Sequence, residues 1–412
     1  MLNINILEEV SREQRKSFDK KEAGILRNID FEKYLGTKQI VVISGVRRSG
    51  KSTLLKQLSG RLEQFYYLNF DDERLLNFEV SDFQNLMLVF RKTHSAQTVL
   101  LDEIQNVPKW ERFVRRIYEE GYKIIITGSN AKLLGSDLAT HLTGRYFKIE
   151  LYPFSFAEFL KFKEYFYENL DSSVKAKILS GFDEYLSAGG FPEFVKTQDT
   201  EYLKRTYEDI LYKDILTRFK IKETKSFREL ASFIFSNFTK ELSYNGLKNT
   251  LGFKNVMSVK NYIGFMQESY LIFELFKYDY SLKKQYVSDK KIYVIDNGLR
   301  NSVAFSFSQD QGRLLENLVF IELKRRGREI YYYKGKNECD FIVKEKNKIK
   351  EAIQVTIRME KGNEKRELEG LLEAQERFKL RTGIIITKDQ EETRKIGGLV
   401  IKIIPAWKWL LR

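Results

Sequence analysis

The chain has 412 residues, 42% hydrophobic and 14% aromatic, which excludes a disordered chain and leaves room for about two to four domains with cores of their own. A single cysteine, Cys339, rules out an internal disulfide framework, and no apolar run approaches the ~20 residues that a membrane-spanning helix needs. With 71 Lys and Arg against 57 Asp and Glu the formal net charge is +14, a balance that attracts polyanions such as nucleic acid, although a Lys-rich genome produces the same excess.

Residues 1–21 are polar and charged, without a signal-peptide core, so a soluble chain in a reducing cytoplasm is expected, with no membrane partner. The first third then alternates short apolar runs with helical patterns. Residues 40–44, 65–68, 98–101, 123–127 and 146–151 read as buried strands. Such alternation predicts a parallel sheet with helices on both faces. Beyond Pro153 the pattern turns helical. Ser155 and Glu158 form a capping box, and helices run to about residue 220, with a break at Gly189-Gly190-Phe191-Pro192. Three shorter helical patterns cover 227–238, 243–251 and 258–271, followed by a Tyr- and Lys-rich hairpin over 278–293. From about residue 310 the reading is helix, three strands, helix and two strands. With no repeats and four prolines, boundaries rest on these changes of pattern: 1–152, 153–220, 221–305 and 306–412.

Two motifs carry chemistry. Gly45-Val46-Arg47-Arg48-Ser49-Gly50-Lys51-Ser52 fits G-x-x-x-x-G-K-[ST] at every fixed position, between a buried strand and a helix with Leu54, Leu55 and Leu58. Its glycines let successive N–H groups from Gly45 to Thr53 curl around phosphates, and the helix N-terminus adds partial positive charge. Lys51 is expected to reach the β- and γ-phosphates of ATP, and the Ser52 hydroxyl to ligate Mg²⁺. Val99-Leu100-Leu101-Asp102-Glu103 is an apolar strand ending in acids. There Asp102 is expected to hold Mg²⁺ through its water shell, and Glu103 to act as general base toward the attacking water.

This ordered set resembles an AAA+-type ATPase. The resemblance implies an extra strand between the P-loop strand and the acidic strand, a relation that residues 65–70 would begin. It puts Thr127-Gly128-Ser129-Asn130 at the sensor-1 position, with Ser129 or Asn130 on the γ-phosphate or the water. It makes Arg145, in Thr143-Gly144-Arg145, an arginine finger acting across a subunit interface, with a solvated arginine as the alternative. Arg47 and Arg48 lie inside the loop, where either can meet phosphate and at least one is expected to face solvent or a partner. More narrowly, residues 45–53, 100–105, 127–130, 142–145, 189–192, 293–299 and 316–327 resemble bacterial and archaeal ATPases that join an AAA-type domain to a C-terminal domain of unknown function. That group is related to STAND-like ATPases. The relation implies that Gly190-Phe191-Pro192 is a lid motif with Pro192 packed on adenine, a plain helix break being the alternative.

Residues 221–305 read as a winged helix, with Lys283, Lys284, Lys290 and Lys291 near the tip of the wing, and Ser258, Lys260 and Asn261 on the candidate recognition helix. A purely structural lid or linker stays open. Residues 306–412 resemble the PD-(D/E)XK nuclease fold, with Glu316 and Asp340 at two metal-holding positions. The third strand reads Gln354-Val355-Thr356 and lacks both the acid and the lysine; Glu351 points to the opposite face. A lysine could still enter from Lys361 or Lys365, but two carboxylates alone hold Mg²⁺ weakly, so nuclease chemistry is expected to be lost. His94, His141 and Cys339 are too scattered for a zinc site.

The expected fold class is α/β: a P-loop NTPase parallel sheet with a helical lid, then a winged helix, then an α/β restriction-endonuclease-like domain. The expected function is an ATP- and Mg²⁺-dependent switch acting on or near DNA, with a second copy of the chain or another protein as further partners. An ATP-gated DNA nuclease and a nucleotide-dependent protein scaffold stand as alternatives.

Overall fold

The computed structural model describes residues 2–131, 142, 144–165, 171–304 and 311–412. Chain contacts divide it into two units: Met1–Tyr152 with Glu268–Tyr270, and Pro153–Gln267 with Leu271–Arg412.

The first unit is built on β1 (Ile40–Ser44), β2 (Tyr66–Asn69), β3 (Thr98–Asp102), β4 (Lys123–Gly128) and β5 (Tyr146–Glu150). They form a five-stranded sheet in the order β2-β3-β4-β1-β5, with every neighbouring pair parallel. The strand between the P-loop strand β1 and the acidic strand β3 is therefore β4, and β2 lies at the edge, which corrects the expectation for residues 65–70. The side chains account for this order. Ile124, Ile125 and Ile126 suit a slot covered on both faces, whereas Tyr66 and Tyr67 bring hydroxyls that need partners, found at the His94 carbonyl and Asp102.

Because strand side chains alternate between faces, the sheet carries two apolar layers. Ile40, Val42, Leu68, Val99, Leu101, Ile124 and Ile126 pack with α4 (Phe83–Thr93), α5 (Trp110–Glu119) and part of α1 (Ile4–Lys20). Val41, Ile43, Leu100, Ile125 and Ile149 pack on the other face with Phe31 of α2 (Phe31–Gly36) and Leu54, Leu55 and Leu58 of α3 (Lys51–Ser59). Full burial of such side chains, seven in the first layer and five in the second, is worth roughly 1.5–3 kcal/mol each, so this sheet is a rigid base for the loops at its ends.

The second unit opens with helices Phe156–Phe162, Ser172–Ala188, Pro192–Thr197 and Thr200–Asp209, the last running into a π-helical turn at Ile210–Thr217. Ser155 and Glu158 make the reciprocal capping bonds that the sequence implies. Helices Thr224–Ser236, Tyr244–Leu251 and Val256–Glu268 follow, with a three-stranded sheet of β6 (Glu241–Leu242), β7 (Ile272–Phe276) and β8 (Lys290–Val294) in the order β6-β8-β7. The hairpin connection carries a short helix, Leu282–Val287, on which Lys283 and Lys284 are exposed. Lys290 and Lys291 are not at its tip: both are buried within β8, 3% and 4% exposed. Charge alone suggested a solvated tip, but partners for both ammonium groups lie inside the fold.

The last part begins with helix Gln311–Arg325 and a six-stranded sheet of β9 (Glu329–Lys334), β10 (Glu338–Glu345), β11 (Lys348–Val355), β12 (Thr382–Thr387), β13 (Glu392–Ile396) and β14 (Leu399–Pro405). Their order is β13-β14-β12-β11-β10-β9, and helix Glu364–Phe378 packs on it through Leu371 and Ala374. Three strands rather than two follow that helix, because β13 and β14 form a hairpin whose polar outer strand hides its period-two signal.

Candidate nucleotide site

At the C-terminal end of β1 the chain turns through 45–50 into α3. Gly50 caps α3 with φ +95°, a left-handed conformation that costs a residue with a Cβ. Ser49 is fully buried, and its Oγ has no hydrogen-bond partner among the described residues. Arg27 braces the loop from beneath: Nη1 donates to the Ser49 carbonyl at 2.9 Å and Nη2 to the Tyr152 carbonyl at 2.7 Å. Tyr270, returning from far along the chain, shares a 2.7 Å hydrogen bond between its hydroxyl and Ser44 Oγ at the end of β1. Arg47 is half-buried and Arg48 exposed, while Val46 is buried.

Lys51, 4% exposed, curls back so that Nζ donates to the carbonyls of Gly45 at 3.2 Å and Val46 at 3.1 Å, and lies 3.7 Å from Glu103 Oε1. Asp102 ends β3, two strands from β1, at 1% exposure. Burial and the neighbouring Glu103 charge raise its carboxyl above the usual range, opposed by hydrogen bonds from Thr127 and Ser52. The Ser52–Asp102 contact brings together the hydroxyl and carboxylate that the two motifs supply, and a buried carboxylate raised in this way gains from a cation beside it.

Thr127 joins the two acids. Its Oγ1 donates to Asp102 Oδ1 and accepts the backbone N–H of Glu103 at 3.0 Å. Glu103 has φ +52°, and its Oε2 accepts from Gln105 Nε2 at 2.5 Å. Ser129 and Asn130, just past β4, are 2% and 7% exposed. Lys51, Ser52, Asp102, Glu103 and Thr127 thus meet at one end of the sheet. Thr127, Gln105, Tyr67 and Arg27 were given no separate role by sequence reasoning. Only Gln105 and Thr127 had a signal, since both lie within the stretches that carry the family resemblance.

Arg145 stands at the other end of that sheet. It precedes β5, whose Tyr146 pairs with Ile40 and whose Glu150 pairs with Ser44. Five residues of strand put it roughly 17 Å from the P-loop of its own chain. Its Nη1 meets Glu119 Oε1 at 3.0 Å. Thr143 and His141 lie outside the described residues.

In the second unit, Pro192 begins its helix at the position where a missing N–H costs nothing. The preceding turn presses on Asp296, whose Oδ2 accepts the Gly190 N–H at 2.7 Å; a Cβ on Gly189, where φ is +72°, would fall 2.1 Å from Oδ1. Glu316 and Asp340 do come together, while Lys361 and Lys365 are both exposed, so neither is the lysine that enters their cluster. Among the described residues no three His, Cys, Asp or Glu side chains are grouped to hold a metal ion. No helix among them is long and apolar enough to cross a membrane.

Sheet order, P-loop and the acids beside it define the first unit as a P-loop NTPase domain of the AAA type. Residues 37–160 match the family model described as an AAA domain; 179–310 and 311–409 match two domains of unknown function, DUF8612 and DUF4143. The chain is 37% identical to an uncharacterised protein of Methanocaldococcus jannaschii, covering 95% of this chain and 92% of that one. It is 34% identical to an uncharacterised protein of Haemophilus influenzae, over 91% and 95%. The chain belongs to one family with these proteins. Among solved structures it is similar to a STAND protein with a tetratricopeptide repeat sensor from Pyrococcus horikoshii (16% identity, TM-score 0.30), covering 74% of this chain and 46% of that longer one. It is also similar to the Aeropyrum pernix ORC1 protein in complex with DNA (11%, TM-score 0.35, 71% and 91% covered). Similarity at that level says nothing of substrate or partner.

Proposed function

We propose that the chain is a Mg²⁺-dependent ATPase working as a nucleotide-driven switch. The observation that carries this reading is the meeting of Lys51, Ser52, Asp102, Thr127 and Glu103 at one end of the parallel sheet. Backbone N–H groups over 45–53 would cradle the phosphates, and Lys51 would leave its loop carbonyls for the β- and γ-phosphates. Mg²⁺ would be held by Ser52 and, through water, by Asp102, and would offset phosphate charge. Glu103 accepts the proton of the attacking water as an oxygen–phosphorus bond forms and the γ-phosphorus parts from the bridging oxygen. Thr127 fixes the relation between the two acids, and Asn130 orients the water. Arg145, too far from its own P-loop, serves a neighbouring copy.

The domains at 153–220, 221–305 and 306–412 are read as lid, winged helix and restriction-endonuclease-like domain that respond to the bound nucleotide. The net charge of +14 makes DNA the first partner to test. ATP turnover, measured alone and with single- or double-stranded DNA, is the decisive experiment. No turnover under any of these conditions rejects the ATPase assignment, and full turnover in Glu103→Gln removes Glu103 as the base. Stimulation by DNA supports a DNA partner; its absence points to a protein.

A further inference from the structure

The acidic cluster of the C-terminal part already holds a cation, and that cation belongs to the chain. Lys291 Nζ lies 2.6 Å from Glu338 Oε1 and 3.1 Å from both Glu316 Oε1 and Asp340 Oδ1. Two acids come from β10 and one from helix Gln311–Arg325, whereas the lysine comes from β8. An ammonium has three N–H donors; here Glu316 and Asp340 accept hydrogen bonds from it, and Glu338 pairs with it as a third charge.

Further hydrogen bonds to the cluster also come from within the chain. Glu316 Oε1 accepts the Tyr293 hydroxyl at 2.7 Å, and Asp340 Oδ2 accepts the Val355 N–H at 3.0 Å. Gln354 stands where the nuclease resemblance calls for an acid. Its Oε1 accepts the Asp340 N–H at 3.2 Å, and its Nε2 donates to Glu367 Oε2 at 2.8 Å. The other Glu367 oxygen takes Arg366 Nη2 at 2.5 Å. Burial disfavours the Lys291 charge, but Glu316, Tyr293, Asp340 and Glu338 around it hold its pKa well above the ordinary value.

A divalent ion needs about six oxygen ligands near 2.1 Å, and an ammonium within hydrogen-bond reach of the same oxygens takes those positions and repels it. Access is not the obstacle, since Lys291, Glu316, Glu338 and Asp340 line a cleft of about 930 Å³. These residues do not fit a catalytic metal.

We propose that Lys291 is the resident cation of the Glu316–Glu338–Asp340 cluster. It excludes divalent metal from the cleft and fastens the β6-β8-β7 sheet to the six-stranded sheet. The cluster is an ionic clasp, and metal-assisted cleavage has no place in it.

Manganese titration of the nucleotide-free full chain, read by electron paramagnetic resonance, tests the exclusion. Wild type and Asp340→Asn should take up Mn²⁺ identically, and a submillimolar site present in wild type but lost in Asp340→Asn overturns the proposal. A stability cycle tests the clasp. Lys291→Met keeps the stem and removes the charge, and it should lower Tm by roughly 10 °C. Adding Glu316→Gln should recover part of that loss, whereas strictly additive effects overturn the clasp. If Lys291→Met does not fold, Asp340→Asn and Glu316→Gln in the wild-type background should each lower Tm while leaving Mn²⁺ uptake unchanged; changed uptake overturns the proposal.

Discussion

Lys51 Nζ lies 3.7 Å from Glu103 Oε1, so the cation of the P-loop and the acid beyond β3 face each other directly. Lys51 also donates to two carbonyls of its own loop, which a triphosphate must displace. Lys51→Ala removes a charge-assisted contact worth about 1.5–3 kcal/mol, so calorimetry with Mg²⁺-ATP should show affinity falling by roughly 10- to 100-fold. Glu103→Gln should bind at least as well while turnover drops by about 10²- to 10⁴-fold.

Thr127→Val keeps the shape of β4 but cuts the link between Asp102 and the Glu103 backbone. The expected loss is about 1–3 kcal/mol, seen in kcat with KM for ATP little changed. An equal loss in binding would mean that Thr127 serves the fold of the site and not the placement of its acids.

Arg27→Ala removes the guanidinium bonds to the Ser49 and Tyr152 carbonyls. A destabilisation of about 2–4 kcal/mol is expected, read as a lower denaturant midpoint with unchanged m-value. Saturating Mg²⁺-ATP should recover part of it, because ligand that binds only the folded loop adds stability by mass action.

Arg145→Ala should leave the Tm and the nucleotide affinity of the isolated chain unchanged, because its Glu119 contact is exposed. Turnover should fall only where copies assemble. Mixing Arg145→Ala with Glu103→Gln should then restore activity, since one copy lends the arginine and the other the base. Mixtures no better than either variant would show that Arg145 serves no neighbour.

Asp296 gives a pH dependence with a definite sign. Burial lifts its carboxyl from 3.8 to about 6, against hydrogen bonds from the Gly190, Leu299 and Gly298 N–H groups. The folded state thus holds the proton more tightly than the unfolded one. Its contribution is complete below about pH 4 and is lost as pH rises through 6, to a total of about 3 kcal/mol. Thermal melts of wild type should therefore show higher stability at pH 5 than at pH 8, and Asp296→Asn should flatten that slope.

Local patterns are legible in the chain itself. The P-loop, the acid pair and the five buried strands depend on residues within a few positions of one another, and their apolar periods and turn residues are written in order. The capping box at Ser155 and Glu158 is legible for the same reason. Strand order is not: β4 takes the slot between β1 and β3 because of how both faces of the sheet are covered. Arg27 carries no signal, since its partners lie 22 and 125 residues away.

The amino-acid sequence on its own determined a P-loop, an apolar strand ending in two acids and an α/β layout, because short-range chemistry dictates those. Which cation meets the C-terminal acids was decided only by the folded chain. Lys291 looked like a solvated wing residue and lies 49 residues from Asp340, yet packing delivers its ammonium into the cluster. A carboxylate's choice between a metal ion and a lysine depends on what stands within about 3 Å in space, and separation along the chain does not reveal that.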